Sequence, residues 1–142
     1  MTQADELPPL EDSDNLGRGV YKSNEAKRAR NNVIMHTIFL EREDANSLSV
    51  DRLDIALDEE MTAIGDRNAN LRGPDRNFYG WATITVAVAS EDGRAVRATP
   101  LLENRYHADI DLNVPDEAER RERQQQHANA LAASAEWRNR SN

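Results

Sequence analysis

The residues whose types and spacing point most directly to chemistry lie in one short segment, YHADID at 106–111. On a β-strand, His107, Asp109 and Asp111 would share one face, because successive side chains alternate between the two faces. An imidazole beside two carboxylates could act as an acid–base pair or supply metal ligands. Polar residues on one face and apolar residues on the other are also typical of an ordinary half-exposed strand. Both interpretations are open.

His36 is the second candidate, since it lies within the most apolar run of the chain. A histidine buried there would need a hydrogen-bond partner, so a structural role and a catalytic role both fit. Beside His107 on a neighbouring strand, it would complete a pair suited to phosphoryl transfer or half of a metal site. Strand order cannot be read from the sequence, so their proximity stays open. His127, in the last helix, is expected to be exposed.

Composition excludes several classes of protein. The 142 residues carry a net charge of −8, which disfavours nucleic-acid binding. The absence of cysteine excludes disulfides, thiolate metal sites and cysteine nucleophiles. No glycine-rich phosphate loop or nucleophile elbow is present, and no cofactor or metal is predicted. The chain has no apolar run near the roughly 20 residues of a membrane span and no signal-peptide core, so we expect a soluble cytoplasmic protein without a membrane partner.

The elements that must position these residues are mainly strands. Apolar runs occur at 33–40, 81–88 and 95–99. The first is apolar on both faces and is predicted to be a central strand. An Asp-Gly turn between the other two predicts an antiparallel hairpin. The segment 106–112 is predicted to be an edge strand, and 48–50 a short strand.

Two helices are expected to pack on this sheet. The first covers 58–72, with Asp58 as its N-cap, and a Gly-Pro pair ends it. The second is long and C-terminal, with Asp116 as its N-cap, and runs to about residue 137. The predicted fold class is α+β, with a small, mostly antiparallel sheet packed by a middle helix and a long C-terminal helix.

Three regions are predicted along the chain. Residues 1–30 are polar and contain two adjacent prolines, so we expect a disordered or loosely attached N-terminal arm. Residues 31–114 hold most of the apolar side chains and form the α+β core. Residues 115–142 form the C-terminal helix and tail.

Three short motifs carry a resemblance to a known group of proteins. They are LSVDRL at 48–53, YGWA at 79–82 and PLLENRYHADI at 100–110. Together they are similar to a pattern in small bacterial proteins of unassigned function. The resemblance implies a bacterial or phage-related source and carries no activity with it.

Two functions are expected, and they belong to different classes. The favoured one is a small cytoplasmic bacterial accessory protein that binds a protein partner, as inhibitor or immunity proteins do, through its last helix and charged tails. The alternative is a small hydrolase or transferase acting on a nucleotide or RNA. Its acid–base groups would be His107 and Asp109, with Asn104 or Arg52 stabilising an anion. The oligomeric state stays open.

One structural feature separates these functions. An enzyme should have a concave pocket in which His107 converges with Arg52 or His36. A binding protein should carry His107 on an open sheet face and an exposed apolar patch elsewhere.

Overall fold

A computed structural model of the chain describes residues 7–42 and 45–141. The strands in these ranges are β1 (Asn15–Val20), β2 (Ser47–Arg52), β3 (Gly80–Thr85), β4 (Ala95–Ala98), β5 (His107–Asp111) and β6 (Glu136–Asn139). The helices are α1 (Ser23–Arg30), α2 (Asp58–Arg72), α3 (Val86–Ala89) and α4 (Glu117–Ser134), and a 3₁₀ turn covers His36–Phe39. These strands form one antiparallel sheet in the order β4-β5-β2-β1-β3-β6.

Both faces of the sheet are covered by apolar side chains. Trp81 and Ala82 are neighbours on β3 and therefore point to opposite faces. Ala82 belongs to a cluster that also holds Leu131 of α4, whereas Trp81 packs with Met61 and Ile64 of α2. The sheet is thus a middle layer, with α4 on one side and α2 on the other.

The predicted fold class is confirmed. The chain is α+β, its sheet is antiparallel, and the middle helix and long C-terminal helix are present as α2 and α4. Asp116 caps α4 as predicted, because its Oδ1 accepts a hydrogen bond from the N–H of Ala118 at 2.9 Å. The N-cap position of α2 is Leu57, one residue before the predicted Asp58.

The predicted N-terminal arm of residues 1–30 is wrong where it covers 15–30, and its residues 1–6 lie outside the described part of the chain. β1 sits inside the sheet between β2 and β3, and α1 follows it. β1 escaped prediction because its two glycines have low strand propensity. The packing requires them: a Cβ on Gly17 would lie 2.7 Å from Trp81 Cδ1, and one on Gly19 would lie 2.5 Å from Tyr21 Oη.

The run at 33–40 is not the predicted central strand. It forms an irregular segment with the 3₁₀ turn, and Ile38 and Phe39 are buried in the cluster beneath α4. Two of its carbonyls accept hydrogen bonds from a side chain instead of from a neighbouring strand. Arg18 donates from Nε to the carbonyl of Ile38 at 3.0 Å and from Nη2 to that of Leu40 at 3.4 Å. The apolar residues of this run therefore indicate that the segment is buried, and they do not indicate that it pairs as a strand.

Strand pairing differs from prediction in three further places. β4 pairs with β5 and not with β3, since the chain turns into α3 after Thr85, whose Oγ1 accepts from the N–H of Val88. β5 is an inner strand between β4 and β2, not an edge strand. The last helix ends at Ser134, and β6 then pairs with β3, so the C-terminal region belongs to the same sheet as the predicted core.

Candidate functional site

The sheet opens between its two middle strands. β1 and β2 pair only at Leu16↔Arg52 and Gly17↔Asp51. Beyond Gly17, β1 continues to pair with β3 but separates from β2. Arg18 bridges the gap: its Nη1 donates to the carbonyl of Ser49 at 2.8 Å and to Oε2 of Glu41 at 2.9 Å. A cavity of about 220 Å³ lies at this opening.

The cavity wall combines the sheet, the loop after β4 and the last turns of α2. Its polar and charged residues come from all three. They are Arg18, Tyr21, Ser49, Asp51, Arg67, Asn68, Arg72, Glu103, Asn104 and His107.

Asp51 is the buried carboxyl of this cavity. Nδ2 of Asn104 donates to Asp51 Oδ1 at 2.7 Å, and both residues are buried. Asn104 is held in turn, because its Oδ1 accepts from the N–H of Tyr106 at 3.1 Å. Burial raises the pKa of Asp51, while Asn104 and the charge of His107 act in the opposite direction. The site therefore favours the protonated carboxyl more than water does.

His107 lies directly opposite Asp51 on the neighbouring strand β5. Opposed residues of an antiparallel pair share a face, with Cβ atoms about 5 Å apart. The Nδ1 atom of His107 lies 2.8 Å from Oγ1 of Thr99 and 3.1 Å from the Thr99 carbonyl. A carbonyl only accepts, so Nδ1 carries the proton in the neutral ring and Nε2 keeps a lone pair. Nε2 has no hydrogen-bond partner among the described residues.

Tyr21 adds a hydroxyl to the same cavity. Burial raises its pKa, and a hydrogen bond from Asn68 lowers it by a smaller amount. The guanidinium of Arg72 lies 4.4 Å from the centre of the Tyr21 ring, within cation–π range. Arg67 donates to the carbonyl of Glu103 and so joins α2 to the loop after β4. These contacts fix the side chains of two cations, Arg67 and Arg72, in the wall of the cavity.

The predicted site residues separate into two groups. Asn104 and His107 both line the cavity, together with Asp51, which was not among the predicted site residues. Asp109 shares the face of His107 but does not line the cavity, and it lies opposite Ser49 and Arg97.

The other two predicted contributors face elsewhere. Arg52 points to the opposite face of β2, where it is 4% exposed and donates from Nη2 to the carbonyl of Pro8 at 2.6 Å. It therefore does not reach His107. His36 lies exposed on the 3₁₀ turn and does not line the cavity, so the two histidines do not converge there.

Sequence reasoning missed Asp51, Tyr21 and Arg18 as site residues. Asp51 belongs to the LSVDRL motif, but only the register between β2 and β5 sets it opposite His107. Arg18 and Tyr21 lie in or beside β1, which was predicted to be part of a disordered arm.

Further observations limit the kinds of site. Within residues 7–42 and 45–141, no group of three or more His, Asp or Glu side chains is placed to hold a metal ion. In the same ranges, no helix is both long and apolar enough to cross a membrane. Comparisons with protein-family models, with curated proteins and with solved structures find no match to this chain.

Proposed function

We propose that this protein is a small cytoplasmic enzyme that carries out a hydrolytic or group-transfer reaction by acid–base catalysis in the cavity between β1 and β2. Its acid–base groups are His107 and Asp51. This is the reaction class of the second expectation from sequence, with Asp51 in the role first assigned to Asp109. The observation that carries the proposal is a buried carboxyl of raised pKa opposite a histidine whose ring is held by Thr99, in one cavity.

The two groups have complementary roles. His107, with its Nε2 lone pair, accepts a proton from the attacking group. Asp51, whose burial favours the protonated form, donates a proton to the leaving group. Asn104 is a positioning residue, since it fixes one oxygen of Asp51. A buried carboxyl with a perturbed pKa that lies in a cleft is a common mark of a catalytic site.

The second candidate is the favoured expectation from sequence, a bacterial accessory protein that binds a protein partner. One observation supports it: the side chain of Leu102 is fully exposed, and Leu101 beside it is 43% exposed. Exposed apolar side chains on a loop can mark a protein contact. The cavity favours the enzyme, because a binding surface does not require a buried carboxyl of raised pKa, which costs stability.

The experiment compares two variants of the cavity with one outside it. His107→Gln and Asp51→Asn remove the acid–base groups, while Asp109→Asn removes a carboxylate from the same sheet face outside the cavity. Each protein is assayed for hydrolysis of p-nitrophenyl acetate, p-nitrophenyl phosphate and a p-nitrophenyl phosphodiester. Each is also tested for complementation in the native host. We expect both cavity variants to lose about a hundredfold or more in rate, with Asp109→Asn close to wild type.

Two results would count against the enzyme. One is equal loss in all three variants, which would indicate a general effect of the sheet face. The other is full complementation by both cavity variants together with failure of Leu102→Asp, which would favour protein binding. Thermal unfolding of every variant separates loss of function from loss of fold.

A further inference from the structure

A second cavity of about 130 Å³ adjoins the first. The two share Arg18, Gly19, Tyr21 and Arg72 in their walls. Together they form a groove at the lower end of the roughly 300–1,000 Å³ typical of ligand sites. One end of the groove holds Asp51 and His107, and the other end holds Lys22 and Arg76.

The end away from Asp51 is rich in positive charge. Lys22, Arg72 and Arg76 are exposed there, in a protein whose net charge is −8. Among the described residues, the side chains of Lys22 and Arg76 make no hydrogen bond or salt bridge, and both residues bond through their backbone only. The one carboxylate in this wall, Glu25, is buried and accepts a hydrogen bond from Thr37 at 2.7 Å.

The cationic side chains of the groove differ in whether they are available to bind a ligand. Arg18 uses Nε, Nη1 and Nη2 on carbonyls and on Glu41, so it holds the strands apart and is not available to a ligand. Arg72 has its guanidinium over the ring of Tyr21, which orients the side chain, and its N–H donors have no partner among the described residues. Lys22, Arg72 and Arg76 are therefore the groups that can bind an anion.

We propose that this groove binds a small phosphate-bearing molecule, whose phosphate lies between Lys22, Arg72 and Arg76 and whose remainder extends toward Asp51 and His107. The inference rests on the proposed function, to which it adds a substrate class. A phosphate carries up to two charges and several acceptor oxygens, and arginine recognises such groups with paired N–H donors. The net negative charge of the protein disfavours a long nucleic acid, because each further phosphate would be repelled.

The test uses two double variants of equal charge. Arg72→Gln/Arg76→Gln removes two cations from the groove. Lys27→Gln/Arg28→Gln removes two exposed cations from α1 that line neither cavity. Inorganic phosphate, p-nitrophenyl phosphate and acetate are titrated at constant ionic strength, and amide shifts of Gly19 and Tyr21 are followed by NMR.

We expect saturable shifts with both phosphates and weaker ones with acetate. Affinity should fall by about tenfold or more in the groove variant, the scale of a lost hydrogen bond to a charged group, and by less than about twofold in the α1 variant. Equal losses of phosphate affinity in both double variants would show that only the net charge matters, and would overturn the proposal. Amide shifts that do not saturate would overturn it as well. If the double variant unfolds, Arg76→Gln alone decides, since Arg76 lies outside α2 and is exposed.

The two proposals fail separately. If phosphate binds in the groove but His107→Gln and Asp51→Asn keep full activity, the enzyme proposal is wrong and the binding site stands. If activity depends on His107 and Asp51 but phosphate does not bind, the phosphate assignment is wrong and the enzyme stands.

Discussion

Arg94 donates from Nη1 to Nδ1 of His127 over 2.7 Å, in a buried contact that joins the turn before β4 to α4. The other donors of Arg94 reach the carbonyls of Ala89 at 3.1 Å and Val88 at 3.0 Å. Because Nδ1 accepts, the neutral ring of His127 carries its proton on Nε2, which is buried and has no hydrogen-bond partner within residues 7–42 and 45–141. His127 is 1% exposed, so the prediction that it is exposed is wrong.

This contact predicts that the protein loses stability in mild acid. Burial lowers the pKa of His127, and the charges of Arg94 and Arg123 lower it further, while Asp92 opposes them. In the unfolded chain, His127 therefore takes up a proton near pH 6.5, whereas in the folded chain it does so only at lower pH. The contribution of His127 to the free energy of unfolding is full above that pH. It falls as the pH drops toward and through the pKa of His127 in the folded state.

The measurement is urea unfolding between pH 8 and pH 5. His127→Gln keeps an oxygen that can accept from Arg94 but does not titrate. We expect its free energy of unfolding to change less than that of wild type below pH 6.5. Parallel curves for the two proteins would show that His127 is not the titrating group.

Asp51→Asn should stabilise the protein at neutral pH. The raised pKa of Asp51 means that folding disfavours its charged form. Its contribution to stability is full below the unfolded pKa and is lost as the pH rises through the folded value. Asparagine keeps the oxygen that accepts from Asn104 without the charge. We expect a higher Tm than wild type at pH 7 and a smaller difference near pH 4. A lower Tm at pH 7 would contradict this account.

Gly65→Ala should destabilise the protein, although alanine is the better helix former by about 1 kcal/mol. Gly65 lies in α2 against Phe78, and a Cβ there would lie 2.5 Å from ring carbons Cδ2 and Cε2. Overpacking of this kind costs roughly 1–3 kcal/mol. Ala63→Gly, at an exposed position of the same helix, is the matched control and should cost about 1 kcal/mol. Stabilisation by Gly65→Ala in chemical unfolding would mean that the ring moves aside.

Ile38→Ala should cost about 2–5 kcal/mol, the range for a buried aliphatic side chain. Ile38 is buried in the cluster beneath α4, although it lies on a 3₁₀ turn and not on the predicted strand. Val33→Ala, at a position 49% exposed in the same run, should change stability by less than about 0.5 kcal/mol. Similar denaturant midpoints for the two variants would show that Ile38 is not a core residue.

A chain that starts at Asn31 should not fold cooperatively, contrary to the sequence-based expectation that residues 1–30 are a disordered or loosely attached arm. Removal of residues 1–30 takes away β1, which pairs with both β2 and β3. Leu16→Ala tests the same point within the full chain and should cost about 2–5 kcal/mol, because Leu16 is fully buried. A cooperative thermal transition in the truncated chain would overturn the assignment of β1 to the sheet centre.

The sequence by itself determined the features that depend on local chemistry. The charge and turn residues around 58–72 and Asp116 specify two helices, because capping and termination act over one turn. The alternation in 106–111 correctly set His107 on one face and Ala108 with Ile110 on the other, since that pattern depends only on strand period.

Only the tertiary structure decided which residues meet. Asp51 and His107 are 56 positions apart in the chain and become neighbours through the register of β2 with β5. Sequence order does not encode strand order, so the pairing of β4 with β5 and the central place of β1 were also hidden. Gly17 of β1 in particular leaves room for Trp81, a contact between distant parts of the chain that local propensity cannot register.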